Sequence, residues 1–310
     1  MNNNTWKTFL EKSIFVFIAI ALFAVPAFFT TNINNAFTIE KHTIFRICVL
    51  VLSILTAVKW VYWPEKNKWP KVFWLVPLFW LSALLSTILA SSPTLSLWGI
   101  HLRMDGWVTL SFFILFYVLI FVNIKGKNDL RWLARIIVLS SLIPVGYALM
   151  QKYGYDPISW NGVVSAERVF GTTGNPAYLA AYLMFVIPVI FYLLATTDSS
   201  YWRNGLIGLI VAEMVTVVFT MTRAAYLGLF LEIGLLAVGY FYIKNQPKLS
   251  WWLASFLVAI ALFVGYINID QKAAAYFGKN AYLQRLTEIT QADSGTGRDR
   301  LEMWKIAIKA

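Results

Sequence analysis

Long apolar runs alternate with short charged segments along the whole chain, and the runs are too long to be strands. Nine of them stand out, at about 13–30, 44–62, 71–90, 107–124, 131–150, 177–196, 204–221, 224–243 and 250–267. A bilayer core of about 30 Å needs roughly 20 apolar residues per helix, so each run predicts one membrane span. The runs lack period-2 alternation and are about twice the length of a barrel strand, which argues against a membrane β-barrel. The first run contains "AVPA", a superficial match to a signal-peptidase site; with eight further spans behind it, an uncleaved first helix is the reading that fits. The predicted fold is therefore an all-α polytopic membrane protein. Residues 1–267 form the helical bundle, and 268–310 begin an extracytoplasmic loop with an amphipathic helix.

One interruption stands out. Between Arg203 and Lys244 the one basic residue is Arg223, in "TMTRAAYLG" (220–228), at the midpoint of the stretch. A guanidinium at mid-span costs about 2.5–3.5 kcal/mol on insertion scales. With about 20 residues on either side, the stretch divides into two spans joined by a very tight turn, and Arg223 becomes a membrane-boundary residue. On this pattern alone, an interfacial anchor and a functional cation fit equally well.

Composition agrees with the pattern. The chain has 310 residues, 59% hydrophobic and 13% charged, and a mean hydropathy of +0.65. Soluble domains carry about 25% charged residues. The single cysteine, Cys48, excludes an intrachain disulfide.

Charge then gives orientation. With the N-terminus cytoplasmic, 13 Lys and Arg fall on inner segments and six on short outer ones (Lys41, Arg46, Arg103, Lys152, Arg168 and Arg223). That is the positive-inside bias, and it accounts for the net charge of +11 without nucleic acid as a partner. The inner set is mainly lysine and the outer set mainly arginine. Arginine's planar fork matches phosphate oxygens two at a time, so the outer face hints at phosphate handling.

Four outer segments occur in order: "SPTLSLWGIHLRMDGWVTL" (92–110), "RVFGTTGNPAYLAAYL" (168–183), "TMTRAAYLG" (220–228) and "DSGTGRDRLEMW" (293–304). Together they resemble the O-antigen ligase and polymerase superfamily of bacterial polytopic glycosyltransferases, over about residues 90–310. Thr222 stands where that family often has serine, a mild departure. The family's outer loop continues to a histidine and further spans. Here the apolar pattern Leu301, Trp304, Ile308 is still running at Ala310, so the expectation is that residues 1–310 are the N-terminal portion of a longer protein and stop short of that histidine. His42 and His101 do not occupy its position.

The resemblance implies a metal-independent enzyme with no cofactor in the cytoplasmic membrane of a bacterium, active at the outer face. An acceptor hydroxyl, on a glycan, lipid or protein, would attack the anomeric carbon of a glycan carried on a polyprenyl diphosphate, and membrane lipid would surround the site. Cations aimed at the leaving diphosphate would be the largest catalytic contribution. Arginine stays protonated and cannot serve as the base.

Arg223 is the first candidate for that contact. Arg300 is the second, because it lies four residues before Trp304, on one helix face, as the family pattern requires. Thr296 and Asp299 suit a capping box for that helix; a basic face lying in the membrane interface is its structural alternative. Arg103, Arg168, Asn175 and Arg298 are candidate substrate contacts. Each has a structural alternative: local pairing of Arg103 with Asp105 and of Arg168 with Glu167, helix entry at Gly174-Asn175-Pro176, and a lipid-headgroup contact at Arg298. Glu213 and Glu232 lie within spans, about ten residues from Arg223, and pair inside the bundle or stay protonated. No paired-carboxylate motif or His/Cys cluster suggests a metal. A secondary transporter or flippase of an anionic lipid-linked substrate is the alternative function; it calls for an inverted repeat that is not apparent in the sequence.

Overall fold

The computed structural model describes residues 3–31, 37–65, 69–101, 103–160, 165–243, 245–269, 276 and 296–309. Among them the structure is helical, with no strand. In chain order the helices are α1 (Asn3–Ala27), α2 (Ile39–Tyr62), α3 (Leu75–Ile88), α4 (Pro93–Trp98), α5 (Trp107–Asn123), α6 (Lys127–Lys152), α7 (Pro176–Thr196), α8 (Ser200–Phe219), α9 (Arg223–Ile243), α10 (Pro247–Ile269) and α11 (Thr296–Lys309). A 3₁₀ turn at Lys71–Trp74 leads into α3, and another at Gly171–Thr173 precedes α7.

Among the described residues, eight helices are long and apolar enough to cross a membrane. The ninth expected span is α5, whose 17 residues rise about 25 Å, near the lower limit for crossing. Most helices begin several residues before the apolar run; α1 starts about ten residues earlier than hydropathy suggested. Backbone hydrogen bonding continues into the polar turns that flank the apolar runs, where hydropathy falls but helix does not. Prolines inside α6 and α7, Pro144 and Pro188, are tolerated there. Near Pro144 the buried Ser140 and Ser141 hydroxyls donate to the Ile137 and Val138 carbonyls at 2.7 and 2.8 Å, which satisfies two polar side chains inside the span.

The chain divides into two compact units. Unit 1 is Met1–Tyr147 with Thr172–Gly174 and Tyr192–Asp198; unit 2 is Ala148–Gly171, Asn175–Phe191 and Ser199–Ala310. In unit 1, Leu10, Ile14, Ile18 and Ala21 line one face of α1 at spacings of four, four and three. They pack on Phe45, Cys48, Val49 and Leu52 of α2 and on Leu119 of α5. Gly174 has φ +71, and a Cβ there would lie 2.3 Å from the Phe37 ring, so only glycine suits both the dihedral and the space. In unit 2, Leu179, Leu183, Ile187 and Ile190 of α7 are buried, as are Leu206, Ile210 and Val217 of α8. Gly228 faces the Met184 methyl, and Gly234 lets α9 approach Leu257 of α10. Small residues permit close helix approach, which matters in lipid because tails compete equally for apolar surface.

Candidate functional site

The α8–α9 connection is the tight turn that Arg223 demanded. Helix α8 ends at Phe219 and α9 begins at Arg223, leaving three residues to reverse the chain. Met221 takes φ +50, a left-handed conformation rare for a side chain of its size. Thr222 opens α9: its carbonyl accepts the Ala225 and Tyr226 amides at 3.0 and 3.2 Å. From the first turn of α9 the Tyr226 hydroxyl reaches back to the Val218 carbonyl at 2.7 Å and pins the two helices. Arg223 is half-buried at the helix start.

A second candidate arrives at the same turn from 52 residues away. Arg168 donates its Nε–H to the Thr220 carbonyl at 3.2 Å, three residues before Arg223. Beside it the Val169 amide donates to the Phe219 carbonyl at 3.4 Å. Segment 165–171 is held from behind by α6. The fully buried Gln151 accepts the Phe170 and Gly171 amides on its Oε1 at 3.1 and 2.9 Å. Lys152 donates to the Ala166 carbonyl at 3.0 Å and sets its ammonium 5.3 Å from the Phe219 ring centroid. Gln151 and Lys152 were not expected to serve the site. Their one sequence signal is a polar pair closing an apolar run in "LMQKYGYD".

Asn175 does the structural job its motif allowed. Its Oδ1 accepts the Ala177 amide at 2.8 Å, and its carbonyl accepts those of Tyr178 and Leu179, so it caps α7 with Pro176 in the first turn. Below Thr222 a cavity of 410 Å³ runs between α7 and α9, walled by Ala177, Ala181, Met184 and Phe185 on one side and by Ala225 and Glu232 on the other. Both Glu232 carboxylate oxygens are buried without a hydrogen-bond partner among the described residues. Glu213 is fully buried within α8.

Arg103 belongs to unit 1, in a loop closed by two glycines. A Cβ on Gly99 would lie 2.5 Å from the Asp105 and Gly106 amides, and one on Gly106 would lie 2.4 Å from the Gly99 amide. The Met104 carbonyl accepts the Thr109 hydroxyl, which in turn accepts Arg46 Nη2 at 2.7 Å. Arg103 and Asp105 form no ion pair among the described residues, and the Arg103 side chain is exposed. Arg298 and Arg300 lie on α11, which begins at Thr296 as the sequence suggested. Their side chains fall outside the described residues, as does most of the expected outer segment between α10 and α11.

Two arginines from distant segments, at one helix-reversing turn with an apolar cavity beneath it, suit an anionic group attached to an apolar chain. Residues 205–310 match the family model described as O-Antigen ligase. Over that segment, about a third of its length, the chain is similar to the O-antigen ligase family. The match takes in the Arg223 turn and the "DSGTGRDRLEMW" segment; the loops carrying Arg103 and Arg168 precede it. No curated protein and no solved structure matches the chain. Glycan transfer of the O-antigen ligase or polymerase type, carried out by a multi-pass membrane protein, is the activity the family implies.

Proposed function

We propose that the protein transfers or polymerises a glycan from a polyprenyl diphosphate to an acceptor hydroxyl at the outer face of a bacterial cytoplasmic membrane. In the reaction the acceptor oxygen forms a bond to the anomeric carbon while the bond to the diphosphate oxygen breaks. The diphosphate leaves with the electron pair, and the hydroxyl proton passes to a base. Arg223 meets the charge that grows on the leaving group, and Arg168 helps hold the turn that presents it. Arg300 contributes a second cation from the outer segment. Arg103, Arg298 and Asn175 are left for outer phosphate, headgroup or sugar contacts, with Asn175 limited by its cap.

The observation that carries this reading is the hydrogen bond from Arg168 to the turn that leads into Arg223, inside a segment matching the ligase family. The test is Arg223→Lys in the intact protein, assayed for glycan transfer. The variant keeps the charge and the boundary signal but loses the bidentate fork. Loss of one preorganised donor of this kind lowers kcat by about 10²–10³. Transfer at the wild-type rate would return Arg223 to a membrane anchor.

A further inference from the structure

A cavity of 730 Å³ opens in unit 1 where α1 starts, α2 and α5 end and α6 starts. Small-molecule sites span about 300–1,000 Å³. Its wall is of two kinds. Ile14, Phe15, Ile124 and Trp132 are apolar, whereas three lysines (Lys12, Lys59, Lys125) face three acids (Glu11, Glu65, Asp129). Trp6, Trp60 and Trp132 stand exposed at these same helix ends. Tryptophans at one level of a helical bundle mark the headgroup layer of a membrane.

Ion pairs account for most of the charge: Lys59 with Glu11 at 3.4 Å, and both Lys7 and Lys125 with Glu65 at 3.4 and 2.6 Å. Lys12 and Asp129 take part in no ion pair among the described residues; Asp129 Oδ2 accepts the Gly126 amide at 3.3 Å. Asn123 also lines the cavity. Its Nδ2 donates to the Thr56 hydroxyl and the Leu119 carbonyl, both at 2.9 Å, and the carbonyl partner fixes which end of the amide is nitrogen. That leaves Asn123 Oδ1 as a buried acceptor with no donor among the described residues.

We propose that this cavity binds a glycerophospholipid whose headgroup carries one phosphate and one primary ammonium. The phosphate meets Lys12, and the ammonium donates to Asp129. The acyl chains run along Ile14, Phe15 and Trp132. The charge balance of the wall selects the class. With Glu11 and Glu65 taken up by Lys59, Lys125 and Lys7, the charges left for a ligand are Lys12 and Asp129, so an anionic headgroup leaves Asp129 without a counter-ion. A trimethylammonium has no N–H to give to the Asp129 carboxylate, and that missing hydrogen bond counts against binding. None of the residues proposed for glycan transfer lines this cavity.

Native mass spectrometry of the intact protein decides the matter. Phosphatidylethanolamine, phosphatidylcholine and phosphatidylglycerol of identical acyl chains are added in turn, with glycerophosphoethanolamine as the soluble headgroup. Phosphatidylethanolamine is expected to be retained about tenfold more than the other lipids, equivalent to about 1.4 kcal/mol. Lys12→Gln and Asp129→Asn each remove that preference. Equal retention of the three lipids, or preference for phosphatidylglycerol, overturns the proposal. Binding of the soluble headgroup as tightly as the lipid also overturns it, because the site would then serve a soluble zwitterion. The lipid comparison on the wild-type protein needs no variant, so it decides even if a substitution impairs folding.

Discussion

Gln151 shows how one side chain can decide whether a loop is ordered. Its Oε1 is the acceptor for two consecutive buried amides in the segment that delivers Arg168 to the α8–α9 turn. Gln151→Leu keeps the side-chain volume close and removes that acceptor, at a cost of about 1–3 kcal/mol for each orphaned amide. Thermal unfolding in detergent is expected to show the loss, with transfer activity falling alongside; unchanged stability would mean that water replaces the amide oxygen. Glu65 makes a pH prediction at the same scale. The Lys125 ammonium hydrogen-bonded to it, with Lys59 and Lys7 beside it, holds its carboxyl below the ordinary value of 4.5 despite partial burial. A depressed folded-state value stabilises the fold fully above the unfolded value and ceases to as pH falls through the folded one. The wild-type protein is thus expected to lose stability below about pH 4.5 in part through Glu65. Glu65→Gln flattens that acid limb in a melting series and leaves the pH dependence above 6 unchanged.

Helix entry at Asn175 separates structure from recognition. Its Oδ1 caps α7, so Asn175→Ala is expected to destabilise by about 0.5–2 kcal/mol, while Asn175→Asp keeps an acceptor and a cap of similar strength. Transfer assays on the folded Asp variant then isolate any contact of the side-chain amide with sugar. Activity equal to wild type would confine Asn175 to capping. The same element explains Gly174, where the positive φ and the Phe37 ring exclude a side chain. The three-residue α8–α9 turn follows the same logic, because it is tied at three places: the Thr222 carbonyl, the Tyr226 hydroxyl and Arg168.

For the molecule as a whole, the charge distribution makes a topological prediction. Thirteen cationic side chains on one set of short segments against six on the other place the N-terminus and the α2–α3 connection in the cytoplasm, and Arg103, Arg168 and Arg223 outside. Cysteines introduced singly, in a background where Cys48 is replaced, are expected to react with an impermeant thiol reagent at position 103 and to resist it at position 66. The reverse pattern would invert the bundle and remove the arginines from the face where the proposed donor lies.

The spans were legible from the chain because a bilayer imposes one length and one polarity on every crossing segment, and the turn at Arg223 because a charge cannot remain at mid-span. The ligase resemblance was legible because loop motifs survive as short local strings. Which faces pack was hidden: these helices are apolar on all sides, and lipid and protein are equally good neighbours for leucine. So were the partners of Arg168, Gln151 and Lys152, and the split of charges in the unit 1 cavity. Such contacts join residues up to 60 or more positions apart, as Arg46 with Thr109 does. Nothing local distinguishes a polar group that will be satisfied across the fold from one that will meet water, so these pairings were decided by tertiary packing alone.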